Sequence, residues 1–337
     1  MSIKNIAKFL SSKLDISEIF SEFSSDLVIV EDRIKASLSS DAKKLTEIST
    51  YLLDLGGKRI RPLMCLLSSR MFGMQTPSPE VIKVAAGIEL IHMATLLHDD
   101  IIDKSPTRRG KPSAYLKFGS DATLLAGDLL FVRAFGLCGA LDKYTIANTE
   151  EACIAVIEGE EIEGFLSATE NYPMSRYMQV IEKKTSALFA LSCKIGAHLA
   201  GASPQVVEQL HKFGILAGTS FQIVDDILDI TADEKTLGKK PGNDLRQCTP
   251  TIINLSWMEK CPEEARDFFF NRESGKELDI SIAIKSINNA GILEDARIMA
   301  NDYSTKAKEL LESLPNTQQK ERDIFNSILE FTLERSH

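Results

Sequence analysis

The sequence is poor in the features that mark secreted, zinc-binding and membrane proteins. Its six cysteines are scattered along 337 residues, without a CxxC pair and without the Cys and His spacing of a zinc site. We therefore expect reduced, buried thiols in a cytoplasmic protein. The N-terminal segment lacks the long apolar stretch of a secretory signal. No uninterrupted apolar run reaches about 18 residues, so we expect no transmembrane segment.

Positive charge is also in short supply. The chain has 39 Lys and Arg against 48 Asp and Glu, which gives a formal net charge of −9. Because nucleic acids are bound mainly through clustered positive charge, this balance argues against a nucleic-acid partner. This net charge still allows a local basic site for a small anion. Hydrophobic residues make up 44% of the chain, as in an ordinary globular protein.

Alternating strand patterns are nearly missing, and helical spacing dominates. "SDLVIVED" at 25–32 is the one strand candidate, and its flanks also fit a helix. A long apolar segment begins with Ser78 in the N-cap position and Pro79 as the first helical residue. Several helices look apolar nearly all round, which predicts that others surround them. We therefore predict an all-α fold and, without any linker-like segment, a single domain over residues 1–337.

Two matching acidic clusters each end a long apolar helical run: "DDIID" at 99–103 and "DDILD" at 225–229. Residues four apart share a helix face, so the first and last aspartates of each cluster point the same way. One such cluster is often only a solvated helix end, but two are harder to explain in that way. Carboxylate oxygens without nearby His or Cys suit Mg²⁺, which keeps waters and recruits phosphate oxygens. The clusters therefore predict metal-bound phosphate rather than acid–base chemistry.

Four short basic motifs accompany the acidic clusters: "GGKRIRP" at 56–62, "RRG" at 108–110, "KKT" at 183–185 and "LGKKPGNDL" at 237–245. Helix starts, guanidinium groups and ammonium groups all bind phosphate. Each motif alone is a weak signal, because basic pairs on helices are usually solvated. Together with the acidic clusters they predict one common ligand, a diphosphate bridged by Mg²⁺. The apolar helices behind the charges would then line a hydrophobic chamber.

In this combination the motifs resemble those of the trans-isoprenyl (polyprenyl) diphosphate synthases, most of all the long-chain members. The resemblance runs from "GGKRIRP" through "ELIHMATLLHDDIID", "GDLLFVRAF", "EKKTSALF" and "FQIVDDILD" to "GKKPGNDL", and so covers most of the chain. It implies the all-α isoprenoid synthase fold around a deep central cavity, three Mg²⁺ ions per active site and a homodimer. The implied substrates are isopentenyl diphosphate and an allylic diphosphate.

The resemblance also implies a role for each motif residue. Residues implied to hold Mg²⁺ on the allylic diphosphate are Asp99, Asp100, Asp103, Asp225, Asp226 and Asp229. Residues implied to bind isopentenyl diphosphate are Lys58, Arg61, His92 and Arg109. Residues implied to bind the allylic diphosphate are Arg108, Lys184 and Lys239. The oxygens of Thr185 and Gln222 are implied to stabilise the carbocation that forms when the allylic C–O bond ionises.

Product length is predicted from the residues that precede the first acidic cluster. A growing chain whose diphosphate is held at Asp99 runs back along the same helix and meets Thr95 and Ala94 first. In the family, aromatic residues at these positions floor a short pocket, and Ala94 and Thr95 are too small to do so. We therefore expect a product of about C30 or longer, suited to a quinone side chain, with Phe131 or Phe135 as the deeper floor.

The sequence departs from the family pattern at four positions. Cys248 and Thr249 stand where Gly and Lys are usual, Ile252 stands where Pro is usual, and Glu163 stands where Gln is frequent. The Lys position is the one with a direct chemical consequence, because an auxiliary cation for phosphate is lost there.

Other readings stay open from the residues alone. A short-chain (farnesyl or geranylgeranyl) synthase has the same chemistry, as does a catalytic subunit that requires a small partner protein, which "IELIHM" resembles. A non-catalytic partner subunit is disfavoured by the intact acidic motifs. A terpene cyclase of the same all-α shape is also disfavoured, because it needs neither two complete DDxxD motifs nor a site for isopentenyl diphosphate.

Overall fold

The computed structural model describes residues 16–164, 172–231, 241–273, 279–315 and 317–335. The helices are α1 Ile16–Glu22, α2 Ser24–Ser37, α3 Lys43–Asp54, α4 Ile60–Arg70, α5 Pro79–Ile102, α6 Ala114–Phe118, α7 Ser120–Cys138, α8 Lys143–Glu163, α9 Met174–Ile181, α10 Ala187–Leu199, α11 Pro204–Thr231, α12 Asn243–Gln247, α13 Ile252–Lys260, α14 Pro262–Glu273, α15 Ile280–Asn289, α16 Ile292–Glu312 and α17 Gln319–Glu334. A single π-helical turn, Glu182–Ser186, joins α9 to α10. The prediction of an all-α fold is confirmed, and "SDLVIVED" is helical, within α2.

The strands of the described residues are two short ones, β1 Thr107–Arg108 and β2 Lys111–Pro112, which pair antiparallel. Their two-residue loop has positive φ at both positions, 53° at Arg109 and 73° at Gly110. This is the turn geometry that matches the twist of paired strands, and glycine adopts it without strain. The "RRG" motif therefore forms a rigid hairpin immediately after the first acidic cluster.

The described part of the chain divides into two compact units, and each is treated by itself. The first unit contains the described residues of 1–153, 188–214 and 308–331, and the second contains those of 154–187, 215–307 and 332–337. The prediction of a single domain stays a prediction.

In the first unit, α5 is the central helix. It begins as predicted, with Ser78 Oγ accepting a hydrogen bond from the Val81 N–H (3.3 Å) and Pro79 in the first turn. It packs antiparallel against α7 at very short range, because a Cβ on Gly87 would lie 2.8 Å from Cys138 Sγ and one on Gly127 would lie 2.1 Å from His98 Nε2. The absence of side chains at these two glycines lets the helices approach.

By length and composition, α5 is also the one helix in the described ranges that meets the criteria for a membrane span. In its most apolar window, 72% of the residues are buried inside the protein. Such burial is typical of the core helix of a globular unit.

The second unit has its own apolar core, built around Trp257 of α13. The indole packs edge-on against Phe268 and Phe269 of α14, with ring centroids 5.4 and 6.0 Å away. Its Nε1–H donates to Ser286 Oγ at 2.9 Å, so the one polar atom of the indole is satisfied. This core supports the segment of α11 that carries the second acidic cluster.

Candidate active site

The first acidic cluster forms the last turn of α5. Asp99 is partly buried, and Asp103 ends the helix with its N–H bonded to the Asp99 carbonyl oxygen at 2.8 Å. The helix is regular to this point, so Asp99 and Asp103 lie on one face, as predicted.

Asp100 points into the first unit and is 1% exposed. Arg108 Nε of the hairpin donates to its Oδ1 at 3.0 Å. Its other oxygen, Oδ2, is buried and has no hydrogen-bond partner within the described ranges. A buried carboxylate oxygen left in this state is costly, and a hard cation would satisfy it. The oxygen donors of this cluster therefore fit Mg²⁺, and Asp100 also holds Arg108.

No group of three or more His, Cys, Asp or Glu side chains is arranged to hold a metal ion by itself in the described part of the chain. Mg²⁺ usually takes only one or two carboxylates and completes its octahedron with water and phosphate oxygens.

A cluster of guanidinium groups surrounds the start of α4. Arg59 precedes this helix with φ of 52°, and its Nη1 donates to Glu89 Oε1 at 2.8 Å in a buried ion pair. A Cβ on Gly57 would lie 2.6 Å from Arg59 Nη1 and 3.3 Å from Arg109 Nη2. The missing side chain at Gly57 therefore makes room for the two guanidinium groups. Arg61, two residues on, lies over the Phe189 ring at 5.0 Å.

His92 lies among these cations. Burial, followed by the charges of Arg61, Arg109 and Arg108, holds the His92 pKa well below its ordinary value. Desolvation and the neighbouring Arg59 also lower the pKa of Arg109 to about 10, which still leaves it charged at neutral pH. A neutral imidazole among fixed guanidinium groups can donate a hydrogen bond to an anion without adding charge repulsion. The first unit thus brings together the predicted residues Arg61, His92 and Arg109.

In the second unit, the π-helical turn presents the "KKT" motif to the end of α8. Lys184 Nζ lies 2.7 Å from Glu160 Oε2 and 2.6 Å from Glu163 Oε2, and Lys183 pairs with Glu158. π-Helical turns of this kind insert one residue into a helix and often mark functional sites.

Thr185 begins a series of hydrogen bonds that runs inward from the same turn. Its hydroxyl donates to Gln222 Oε1 at 2.7 Å, and Gln222 Nε2 donates to Asp226 Oδ1 at 2.9 Å. Tyr177 donates its hydroxyl to Asp226 Oδ2 at 2.7 Å. Burial raises the pKa of Asp226 to about 7, despite the hydrogen bonds from Gln222 and Tyr177 that oppose the rise. The series orients the amide of Gln222, because its nitrogen faces Asp226.

The three aspartates of the second cluster therefore differ in their surroundings. Asp225 is 54% exposed at its side chain, with Arg335 Nη2 at 3.7 Å. Asp226 is buried, with both oxygens hydrogen-bonded. Asp229 is 2% exposed and accepts the Asp244 N–H at 2.9 Å. Asp225 is the member most open to an ion from solvent.

These side chains surround a pocket of about 170 Å³. Its lining residues are Glu163, Tyr177, Val180, Ile181, Lys184, Thr185, Gln222, Asp225, Asp226, Asp229, Asp244, Thr249, Pro250 and Thr251. All of them belong to the second unit. The predicted residues Lys184, Thr185 and Gln222 thus share one pocket with the second acidic cluster.

Three departures from the family pattern can be placed in the structure. The N–H of Ile252 approaches Asp226 Oδ2 at 3.3 Å, a contact that the usual proline could not make because it has no N–H. Cys248 adopts a positive φ of 57°, a conformation in which glycine would be unstrained. Thr249 lines the pocket at the position where a lysine is usual.

Some functional partners were not predicted, and one predicted residue is not among those that the structure describes. Tyr177 and Glu160 lie in none of the motifs, and Asp244 lies in "LGKKPGNDL" but had no predicted role. The spacing of seven residues from Tyr177 to Lys184, two helical turns, is a signal that could have included the tyrosine. Lys239 lies outside the described residues.

Comparison with known proteins gives a consistent result. Residues 42–287 match the model of the polyprenyl synthetase family. The chain is 35% identical over 300 residues to the octaprenyl diphosphate synthase of Escherichia coli, covering 88% of this chain and 92% of the relative. It is 34% identical over 331 residues to a short chain isoprenyl diphosphate synthase of Methanothermobacter thermautotrophicus, covering 96% and 100%.

A solved structure agrees along nearly the whole length. The polyprenyl synthase from Caulobacter crescentus, complexed with calcium and isoprenyl diphosphate, superposes with a TM-score of 0.89 at 31% identity. The match covers 96% of this chain and 98% of that one.

Proposed function

Because this chain belongs to the polyprenyl synthetase family and is a trans-prenyltransferase with the isoprenoid synthase fold, we propose that it makes a long polyprenyl diphosphate. An allylic diphosphate is elongated by isopentenyl diphosphate to about C30 or longer, as for a quinone side chain. The observation that supports prenyl transfer is the guanidinium cluster around a neutral His92, a site for a diphosphate. The product length rests on the small side chain of Ala94.

The metal in this proposal is Mg²⁺. Its proposed ligands are Asp99, Asp100 and Asp103 in the first unit, and Asp225 and Asp229 in the second. Support comes from their all-oxygen donors, the buried Asp100 Oδ2, and the calcium bound in the Caulobacter crescentus relative. When bound, the metal neutralises charge that develops on the departing diphosphate. Asp226, with both oxygens hydrogen-bonded, has the role of orienting Gln222.

The protein's own groups act on the rest of the reaction. Lys58, Arg61, His92 and Arg109 bind isopentenyl diphosphate, and Arg108 and Lys184, with Lys239, bind the allylic diphosphate. The oxygens of Thr185 and Gln222, joined by their own hydrogen bond, are assigned to stabilise the carbocation as the allylic C–O bond breaks. The isopentenyl double bond then forms the new C–C bond, and the proton that is lost leaves with the released diphosphate.

Arg61→Ala tests the isopentenyl diphosphate site. The variant should raise the KM for isopentenyl diphosphate roughly 10- to 100-fold and leave the allylic KM nearly unchanged, because one charge-assisted hydrogen bond is removed. Initial rates at varied concentrations of each substrate give both values. Arg133→Ala, at an exposed arginine bonded to the Ser39 carbonyl oxygen, is the control. A rise confined to the allylic KM would reverse the assignment.

Tyr177→Phe tests the hydrogen bonds behind Gln222. Without the hydroxyl, Asp226 loses a donor and the amide is less well oriented, so kcat should fall roughly tenfold with both KM values nearly unchanged. Tyr172→Phe is a matched control, since the Tyr172 hydroxyl is buried with no hydrogen-bond partner among the described residues. Equal losses in the two variants, or a lowered melting temperature with unchanged kcat, would rule out the orienting role.

The small side chain of Ala94 supports a long product, because it leaves no aromatic floor at this position. It is fully buried in α5, seven residues after Gly87 and four before His98, and so lies on the face that α7 covers. Phe131, one predicted floor residue, has its ring 6.0 Å from His98, at the acidic end of α5. It is therefore too shallow for a floor below Ala94. Phe135, one turn further along the antiparallel α7, remains the candidate.

The proposed assembly is a homodimer in the cytoplasm. Three apolar residues of α7 are largely exposed: Leu124 at 48%, Leu125 at 55% and Val132 at 67%. Apolar surface of this kind on one helix is typical of a protein interface, and a second copy is the proposed occupant. A small partner subunit is the alternative occupant. All six cysteines are free and five are buried, as expected in a reducing compartment.

A further inference from the structure

Glu163 has no role in the proposed reaction. Its carboxylate nevertheless contacts the ammonium group of Lys184, which is a proposed ligand of the allylic diphosphate. Lys184 Nζ lies 2.6 Å from Glu163 Oε2 and 2.7 Å from Glu160 Oε2. The side chains of these three residues are only about one fifth exposed, at 22%, 22% and 19% respectively. Partial burial weakens solvent screening, so these charges interact more strongly than a surface pair.

The backbone holds the two partners close together. A Cβ on Gly159 of α8 would lie 2.8 Å from the backbone nitrogen of Lys184, so α8 and the π-helical turn are in direct contact. At the end of α8, Arg176 Nε donates to the Ile162 carbonyl oxygen at 2.8 Å. Glu163 therefore follows an anchored residue, and its carboxylate is presented to Lys184 by two fixed elements.

The charge of the pocket makes this contact consequential. Its described lining residues include five acidic side chains, Glu163, Asp225, Asp226, Asp229 and Asp244, and one basic side chain, Lys184. A diphosphate that binds the Lys184 ammonium must share it with the Glu163 and Glu160 carboxylates, of which only Glu163 lines the pocket. A glutamine at position 163 would leave more of that positive charge to the diphosphate.

We propose that Glu163 is a positioning residue that weakens the binding of the allylic diphosphate by holding Lys184. The inference rests on the proposed role of Lys184 in binding that diphosphate. A carboxylate here lowers the affinity for substrate and product diphosphates together, and therefore speeds the release of the elongated product.

Glu163→Gln tests the inference, since it removes the charge and keeps the shape of the side chain. The probe is an allylic S-thiolodiphosphate with Mg²⁺, titrated calorimetrically into the full-length protein. The variant should bind it about fivefold more tightly than the unmodified protein, the size expected for one partly screened ion pair. The KM for isopentenyl diphosphate should not change. An unchanged or weaker affinity would overturn the inference.

Glu158→Gln is the matched control, because Glu158 pairs with the adjacent Lys183 from the same helix but is 52% exposed and does not line the pocket. The Glu158→Gln variant should bind the probe with the same affinity as the unmodified protein. Glu163 could act by holding Lys184 or by repelling the diphosphate directly. Repeating the Glu163→Gln change in a Lys184→Gln protein separates these two effects. Loss of the fivefold gain there supports action through Lys184, whereas an undiminished gain shows direct repulsion and overturns it.

The same experiments distinguish this inference from the proposed function. If the unmodified protein elongates allylic diphosphates and binds the probe, but Glu163→Gln binds it no better, only the role of Glu163 fails. If the unmodified protein neither binds the probe nor consumes isopentenyl diphosphate, the proposed function fails first.

Discussion

Asp99→Ala and Asp225→Ala should each lower turnover by roughly 10²- to 10³-fold, the loss expected when one group that stabilises transition-state charge is removed. Each substitution takes away a carboxylate that is accessible to an ion, at the end of one of the two apolar helices. Neither residue contributes to an apolar core, so the helical fold should be retained. Steady-state rates at saturating substrate and Mg²⁺, with circular dichroism of each variant, give the comparison.

Asp302→Ala is a suitable control for Asp225→Ala. Asp302 is 55% exposed, against 54% for Asp225, and it forms an ion pair with Lys306, four residues on. The Asp302→Ala variant should turn over at the rate of the unmodified protein. Near-normal activity of Asp99→Ala or Asp225→Ala would remove that cluster from the mechanism. An equal loss in Asp302→Ala would attribute the effect to general charge instead.

The helices were predictable because their determinants are local. Ser78 and Pro79 mark the start of α5 through capping preferences that act within one turn. The alignment of Asp99 with Asp103 follows from the helical repeat alone. The segment "SDLVIVED" was ambiguous because a short apolar run fits either period, and it is helical in the structure.

The partners of the site residues were not predictable in the same way, because they come from distant parts of the chain. Asp100 and Arg108 are both predicted to act on the allylic diphosphate, but the sequence does not predict the direct contact that folding of the hairpin gives them. Tyr177 and Asp226 are 49 residues apart and meet only when α9 packs near α11. A motif identifies the kind of side chain at a position, but long-range packing decides which atoms it meets.

The departures at Glu163 and Ile252 show the same limit. Their positions in the sequence indicated only a difference from the family pattern. In the structure Glu163 approaches a proposed ligand of the substrate, and the N–H of Ile252 approaches Asp226. Both are meaningful only once the neighbouring helices are in place.

Ala94→Phe should shorten the products from about C30 or longer to about C15–C20, because a ring at this position fills the path of the growing chain one turn behind Asp99. Ala94 lies on a fully buried face of α5, and overpacking there should cost about 1–3 kcal/mol of stability. The melting temperature is therefore measured alongside. Thr95→Phe, at a partly buried neighbour, provides a second variant with less strain.

The products are dephosphorylated and sized by chromatography, with Ala94→Ser as a control that keeps the side chain small. Products of Ala94→Ser should stay long, since the channel is not filled. Binding of Mg²⁺ and diphosphate should be unaffected in all three variants, because residues 94 and 95 carry none of the charges at the site. Unmodified protein that stops at C15 or C20 would contradict the long-chain proposal. Products that stay long in both phenylalanine variants would show that the chain does not pass this face of α5.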